Sequence, residues 1–474
     1  MKKRLLSLIL IIAMLLAILP AGNAFAEETV VLPYSEWALD DLVVGDTYNI
    51  YPMSWYEKDM DAPITHAQIR QLMAGIRLKL YYSGKVIEYN EQKYNLKSNM
   101  TVEEILEFLY TMISDYEFDG DIGITDGGNA LEYMAKHNIF TGNEGELSLE
   151  DICTIEQAFV IATRLITHIY NALDAASKGF LWKIESDVNT VYLLGSVHAA
   201  NYYIYPFSDK ILDAFAESDV LCVEANVLDI SGDVEYLFMQ YGMYNDGTQF
   251  KDHVSEETYQ KTVQLGAMFG LSEETIALFK PWMIYNTFAT LAATLAESEE
   301  ELALSQKLGI DVKFLVDAYY TGKPIFELEG IEFQIKLYDS LSDELIEYLL
   351  NSTIDSIING TQEADAVESD LWNLILYYWH EGDVEGFMEN VAPLLTVSEF
   401  SDDAENADIL PLIEEFIAKF ITERDRGMAD KIDGLLKAEG GLTYFIVVGS
   451  GHYISDYSVI DILKEKGYEV NQIK

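Results

Sequence analysis

The stretch 178–474 is predicted to be an α/β domain: a central sheet formed by its two ends with a helical middle between them, preceded by a mostly helical repeat region at 28–173. Three observations predict this. Short apolar runs of strand composition cluster near its start and recur near its end. Helical periodicity dominates between them, from Ser255 to Ser340 and from Asp343 to Leu436. Ahead of Lys178 the chain reads as short helical patterns separated by loops.

The amino terminus carries a basic head, Lys2-Lys3-Arg4, then an almost unbroken apolar run from Leu5 to Leu19 that Pro20 ends. Ala24-Phe25-Ala26 places small residues at the two positions a signal peptidase reads. A signal peptide over 1–26 is therefore expected, with the mature chain secreted or associated with the cell envelope. An uncleaved membrane anchor is the alternative use of the same run. No later apolar run reaches the length of a membrane span, so the mature chain is expected to be soluble. The 474 residues hold 30 Lys plus Arg against 80 Asp plus Glu, a formal net charge of −50. So negative a chain repels phosphate backbones and anionic lipid headgroups, which argues against nucleic acid as a partner. Only two cysteines occur, so neither a disulfide framework nor a cysteine-based zinc site is available. Cys222 lies in the apolar run Val220 to Val223, where a buried strand thiol is expected, and Cys153 lies just before a predicted helix.

Between 28 and 173, apolar residues recur at helical spacing over Ile64 to Leu80, Thr101 to Ile113 and Thr154 to Ile169. A threonine stands near each start with an acidic or amide residue shortly after it, an N-cap arrangement. Pro33-Tyr34-Ser35-Glu36-Trp37-Ala38 with Pro63-Ile64-Thr65-His66-Ala67-Gln68 is similar to the S-layer homology module, which runs S-x-W-A … I-T-R-A-E. Ala130-Leu131-Glu132-Tyr133-Met134, Asn138-Ile139-Phe140-Thr141-Gly142 and Thr154-Ile155-Glu156-Gln157-Ala158 resemble it more closely. Such modules imply a cell-wall polymer as partner, bound through the arginine of T-R-A-E. With Thr101-Val102-Glu103-Glu104 as the relic of a middle copy, that position holds His66, Val102 or Ile155 here, so the resemblance carries the fold further than the binding chemistry.

Past Lys178, strands are expected at Leu181 to Ile184, Thr190 to Leu194, Val220 to Glu224 and Tyr444 to Val448. Two segments about 250 residues apart share one form: Tyr192-Leu193-Leu194-Gly195-Ser196-Val197-His198 and Phe445-Ile446-Val447-Val448-Gly449-Ser450-Gly451-His452. Each is an apolar strand, a glycine that permits a sharp turn, and a histidine three residues on. Ligands of open α/β sheets collect at the carboxyl ends of the strands, where both imidazoles would stand. Glu224 ends a third strand. If the three strands are neighbours, two histidines and a carboxylate converge. That set suits a divalent metal with open positions, and equally a metal-free site with histidine or glutamate as general base. One Gly-x-x-His is a weak signal; two copies after apolar strands, in a chain of seven histidines, are what single these out. His66, His137, His168, His253 and His380 fall on predicted helices or loops and are expected to do no chemistry.

The order of motifs from Lys178 onward resembles the TraB/GumN (TIKI-like) family. The resemblance rests on Leu181-Trp182-Lys183-Ile184, Gly195-Ser196-Val197-His198, Tyr205-Pro206, Ala214-Phe215, and Ser218-Asp219-Val220-Leu221-Cys222-Val223-Glu224. It continues through Lys280-Pro281-Trp282, Leu308-Gly309-Ile310-Asp311, Gly322-Lys323-Pro324-Ile325-Phe326-Glu327-Leu328-Glu329 with Gln334, Glu423-Arg424-Asp425-Arg426-Gly427-Met428-Ala429, and the closing Val447-Val448-Gly449-Ser450-Gly451-His452. The resemblance implies a fold shared with erythromycin-esterase and ChaN-like proteins, and a metal-dependent peptidase or related hydrolase with a peptide or small-molecule substrate. Under it His198, Glu224 and His452 bind or activate a divalent metal ion (manganese, cobalt or zinc) and water. Arg424 would steady negative charge on a tetrahedral intermediate. Glu329 is a further acid/base or ligand candidate, or else a capping or salt-bridge residue. The sequence departs from the family pattern at Asn226, Ser208 and Asp425, where Asp, Pro and Asn are usual. Two other function classes stay open: a non-catalytic peptide binder that restrains pheromones, and a structural envelope protein.

Overall fold

In the computed structural model, the three threonines that open the predicted helices cap them. Thr65, Thr101 and Thr154 each accept a hydrogen bond from the backbone three residues on, and Gln68, Glu104 and Gln157 reach back to the threonine N–H groups. These capping boxes start the helices His66–Leu80, Val102–Ile113 and Ile155–Leu173. A two-stranded antiparallel sheet, β1 (Gly84–Val86) with β2 (Tyr116–Phe118), accompanies them. The structure describes residues 34–55, 59–81, 83–87, 91–125, 128–141, 148–229, 232–296, 299–359, 362–395, 409–455 and 457–474. The expected signal peptide lies outside these residues.

The described chain forms two units: one of the residues up to Ser177 together with Ile204–Ser208, and one of Lys178–Tyr203 with Asp209–Lys474. In the first, Ile155–Leu173 is the central helix and buries Phe159, Ile161, Leu165, Ile166 and Ile169. At about 1.5–3 kcal/mol for each large apolar side chain removed from water, this face is a substantial part of the unit's core. The helix Leu39–Tyr48 lies close against it because Gly45 presents no side chain; a Cβ there would stand 2.3 Å from Thr163 Oγ1 and 2.4 Å from the Phe159 ring. The forked ion pair of Arg164 with Asp41 (2.7–3.1 Å) ties the same two helices.

The second unit is built on a six-stranded sheet of β3 (Phe180–Glu185), β4 (Thr190–Ser196), β5 (Val220–Val223), β6 (Ile325–Glu327), β7 (Thr443–Gly449) and β8 (Val470–Ile473). Their order is β6-β5-β7-β4-β3-β8. The first four in that order run parallel, whereas β3 is antiparallel to both β4 and β8. Central β7 is buried from Tyr444 to Val448, as an apolar run covered on both faces should be. The two ends of the region thus build the sheet, as expected, but its middle is not wholly helical. A three-residue strand, β6, falls between the helices Ile310–Thr321 and Ile331–Asp339 and adds the outer edge. Among the described residues no helix is long and apolar enough to cross a membrane. Cys153 and Cys222 are both buried free thiols, and burial pushes each up to about 12.

Candidate active site

Because β7 sits between β4 and β5 and all three are parallel, their carboxyl ends open on one side of the sheet. Ser196 pairs with Gly449, and Val223 with Val447. The two Gly-x-x-His loops interlock there. The Ser450 N–H and hydroxyl both donate to the Ser196 carbonyl, at 2.8 and 2.9 Å. Gly195 makes room for this, since a Cβ on it would lie 2.9 Å from Ser450 Oγ and 3.2 Å from Ser450 Cα. Gly449 has a different task. A Cβ there would sit 3.4 Å from Glu224 Oε1, 3.5 Å from His198 Nε2 and 3.8 Å from His452 Cδ2. The space over this glycine is where the three expected residues meet.

Glu224 is held firmly. Its Oε1 accepts the Gly449 N–H at 2.6 Å, and its Oε2 accepts Arg424 Nη2. Its carbonyl takes the N–H groups of Glu329 and Gly330, each at 2.9 Å. Arg424 is buried at the start of the helix Glu423–Lys437 and forks onto Glu329, with Nε and Nη2 each 2.8 Å from a carboxylate oxygen. Its remaining Nη1 reaches the Phe420 carbonyl at 3.4 Å, inside the π-helical turn Ala418–Thr422 that precedes the helix. Glu329 is thus the ion-pair partner of the guanidinium. Burial works against the Glu224 carboxylate, but Arg424, followed by His452 and His198, overrides it and holds this carboxyl well below the usual range. Burial likewise opposes the guanidinium charge, and Glu224 and Glu329 more than restore it.

Two further carboxylates complete the arrangement. Asp311 Oδ2 meets His198 Nδ1 at 2.7 Å while its Oδ1 accepts the Ser196 hydroxyl at 2.8 Å. Asp425 Oδ1 meets His452 Nδ1 at 2.6 Å and its Oδ2 accepts Ser455 Oγ at 3.2 Å. Asp311 is delivered by the helix Ile310–Thr321, whose first N–H bonds the Val197 carbonyl at 3.0 Å. Gly309 permits that approach, because a Cβ on it would fall 2.2 Å from the His198 carbonyl oxygen. Burial disfavours the imidazolium of His198, but the charge and hydrogen bond of Asp311, then Glu224, outweigh it and raise the ring to about 9. Neither aspartate was singled out for chemistry in the sequence. Asp311 stood within a turn motif and Asp425 stood as a departure; the signal available was their motif membership, and only the fold supplies the pairing.

The donor chemistry fits a divalent cation. Both histidines spend Nδ1 on a carboxylate, which leaves Nε2 on each for the common space. The site holds four buried or nearly buried carboxylates, Glu224, Glu329, Asp311 and Asp425, and one guanidinium, a net charge of −3 once metal binding leaves both imidazoles neutral. A dication offsets most of that charge. The spacing is looser than a formed centre: His452 Nε2 stands 4.0 Å from Glu224 Oε1, where tetrahedral ligands bound at ~2.1 Å lie ~3.4 Å apart. Among the described residues no three His, Cys, Asp or Glu side chains already stand at ligand spacing. The other histidines are elsewhere. His66 and His168 lie in helices of the first unit, His137 caps one, and His380 lies in the helix Gln362–Glu381. His253 stacks on Tyr244 at the wall of a cavity of about 260 Å³ shared with Lys280, Trp282 and Asp339, and none of the site residues lines it.

Residues 180–472 match the family model described as the TraB/PrgY/gumN family. The chain belongs to that family. Among curated proteins, this TraB/PrgY/gumN chain is 22% identical over 326 residues to a protein named Metalloprotease TIKI homolog from Amphimedon queenslandica, covering 63% of this chain and 62% of that one. It is 23% identical over 171 residues to a protein of the same name from Nematostella vectensis, covering 35% and 36%. A protein named YbaP, from Escherichia coli K12, is 28% identical over 163 residues, covering 34% of this chain and 56% of its own. The chain therefore spans between about a third and three-fifths of these relatives. No solved structure matches this TraB/PrgY/gumN chain.

Proposed function

We propose that this chain is an exported, metal-dependent hydrolase acting on peptides. The observation that carries the reading is the convergence of His198 Nε2, Glu224 Oε1 and His452 above the side-chain-free Gly449. The TIKI relatives, named as metalloproteases, support the reaction class. A divalent ion bound by these residues would supply Lewis acidity and lower the pKa of a water toward ~7. His198 and His452 would hold it through Nε2 and Glu224 through Oε1, steadied by the Gly449 N–H. Arg424 spends four of its five N–H donors on Glu224, Glu329 and the Phe420 carbonyl, so its first part is to clamp Glu224 in place, with one Nη1–H left for the oxyanion role expected of it. Glu329 holds the clamp. A water or peptide carbonyl would enter from the open carboxyl edge of β4, β5 and β7.

Export follows from the basic head, apolar run and Ala-x-Ala site, with cleavage after Ala26. The three capping boxes are compatible with degenerate S-layer-homology-like repeats and hence with an envelope location. The missing arginine at His66, Val102 and Ile155 weakens the case for wall-polymer binding.

The test is metal content per chain after dialysis of the mature protein, paired with cleavage of a peptide library with and without chelator. We expect about one divalent ion per chain, cleavage abolished by chelator, and loss of both in His198→Ala and His452→Ala. His253→Ala should behave as wild type. Wild-type metal content in both histidine variants would overturn the metal centre. Cleavage by a metal-free wild type would replace it with a histidine/glutamate hydrolase. A protein that neither holds metal nor cleaves peptides would be a binder.

A further inference from the structure

The imidazoles of the candidate centre do not aim themselves. Histidine is free to rotate about two bonds, and each ring could present either nitrogen to the space above Gly449. In this chain one nitrogen of each is already committed. His198 Nδ1 is 2.7 Å from Asp311 and His452 Nδ1 is 2.6 Å from Asp425. Both aspartates are in turn anchored, Asp311 by the Ser196 hydroxyl and Asp425 by the Ser455 hydroxyl. Both are close to fully buried, so neither pair is loosened by bulk water.

We infer that Asp311 and Asp425 are positioning residues that lock His198 and His452 with Nδ1–H outward and Nε2 toward Glu224, pre-orienting the pair for a divalent cation. The inference rests on the metal-dependent reading above. A carboxylate behind a ligand histidine fixes the ring's tautomer and raises its basicity toward the metal. The placement of Asp425 adds a second consequence. It directly follows Arg424, so the first turn of Glu423–Lys437 holds Glu224 through one residue and His452 through the next. Two of the three metal donors are therefore set by adjacent positions of one helix, and the third by the first turn of Ile310–Thr321. Asp425 stands where asparagine is usual in the motif it matches. Asparagine retains an acceptor oxygen for the His452 N–H but has no charge, so in this chain the second imidazole is oriented by a charged acceptor.

The experiment uses the mature full chain and four variants: Asp311→Asn, Asp311→Ala, Asp425→Asn and Asp425→Ala. Cobalt(II) affinity is measured by competition with a chromophoric chelator, and folding by the cooperativity of thermal unfolding. Downfield proton NMR of the metal-free proteins reads the two Nδ1–H···carboxylate protons directly. We expect each alanine variant to bind cobalt about 10–100-fold more weakly and to lose its own downfield resonance while keeping the other. Asp425→Asn should fall between Asp425→Ala and wild type, separating orientation from charge. Cooperatively folded alanine variants that bind cobalt as tightly as wild type would overturn the inference, as would the absence of both resonances from wild type. If wild type binds no cobalt yet shows both resonances, each removed by its own alanine variant, the locking of the rings stands and the metal-dependent function falls.

Discussion

Gly449 does more for the candidate site than a turn residue needs to, and that makes it a sharp probe. The nearest atoms to an added Cβ lie at 3.4–3.8 Å, ordinary contact distances, and Gly449 is not among the residues with positive φ. Gly449→Ala should therefore cost no more than about 1 kcal/mol in stability while placing a methyl group between His198, Glu224 and His452. We expect a thermal midpoint within a few degrees of wild type and loss of bound metal and peptide cleavage. Metal retained at wild-type level would show that the ion binds elsewhere. In the first unit the informative residue is Lys79, whose ammonium is buried, donates to the Tyr205 carbonyl and lies 5.4 Å from the centre of the Tyr170 ring. Burial lowers it from 10.5 to about 7. Between those values the unfolded chain binds a proton that the folded chain does not, so stability rises as pH increases from 7 toward 10.5, by up to about 1.4 kcal/mol per unit. Urea midpoints at pH 7, 8 and 9 should climb for wild type, and the climb should be shallower for Lys79→Met. Parallel slopes would mean that Lys79 titrates normally. The sequence showed the histidines and Glu224 because each follows an apolar strand at a fixed interval. It was silent on Lys79, which reads as one more helix lysine until its neighbours are known.

Among the elements, legibility followed burial. The strands at 180–185, 190–196, 220–223 and 443–449 are apolar runs closed by glycine, serine or an acid, and each was recognisable from residues alone. β6 and β8 were not, because they are the two outer strands of the sheet, only three and four residues long, and none of their residues is fully buried. The separate pair β1 and β2 is hidden because each strand has only three residues and, of the six, only Tyr116 is buried. The three capped helices were legible through their threonines. The helix Ile310–Thr321 falls within the stretch of helical periodicity, but its start was visible only as a motif, to which the structure gives a physical sense: Gly309 lets the helix start touch the His198 loop so that Asp311 arrives at the imidazole. Gly309→Ala should push the two backbones apart, since its Cβ would overlap the His198 carbonyl. The cost should be about 1–3 kcal/mol, typical of overpacking. Metal affinity should fall as far as in Asp311→Ala, although residue 309 touches no donor atom. Unchanged affinity in Gly309→Ala would break the argument that this helix start sets His198.

At the scale of the whole molecule the dominant fact is charge. A formal −50 spread over 474 residues makes every carboxylate raise the energy of its neighbours, and a compact chain suffers this more than an unfolded one. Ion pairs relieve it only locally, because 30 cationic side chains cannot answer 80 anionic ones. Exposed pairs such as Lys97–Glu104 and Arg70–Glu91 each contribute at most about 1 kcal/mol. Salt screens the repulsion: the Debye length falls from about 30 Å at 0.01 M to about 10 Å at 0.1 M and about 3 Å at 1 M. Repulsion among many surface carboxylates acts over longer distances than a surface pair, so screening removes more destabilisation than stabilisation. The buried cluster around Arg424 and Glu224 is shielded from this exchange by its desolvation. We therefore expect the thermal midpoint of the mature protein to rise by several degrees between 0.01 and 0.3 M sodium chloride. The same negative field should concentrate dications near the surface, so apparent affinity for a divalent metal should weaken over that range. Dilute magnesium should stabilise more per mole than sodium, through the surface and without regard to the site, so His198→Ala should respond to it as wild type does. A midpoint that is flat or falls with salt would mean that local ion pairs outweigh the net field.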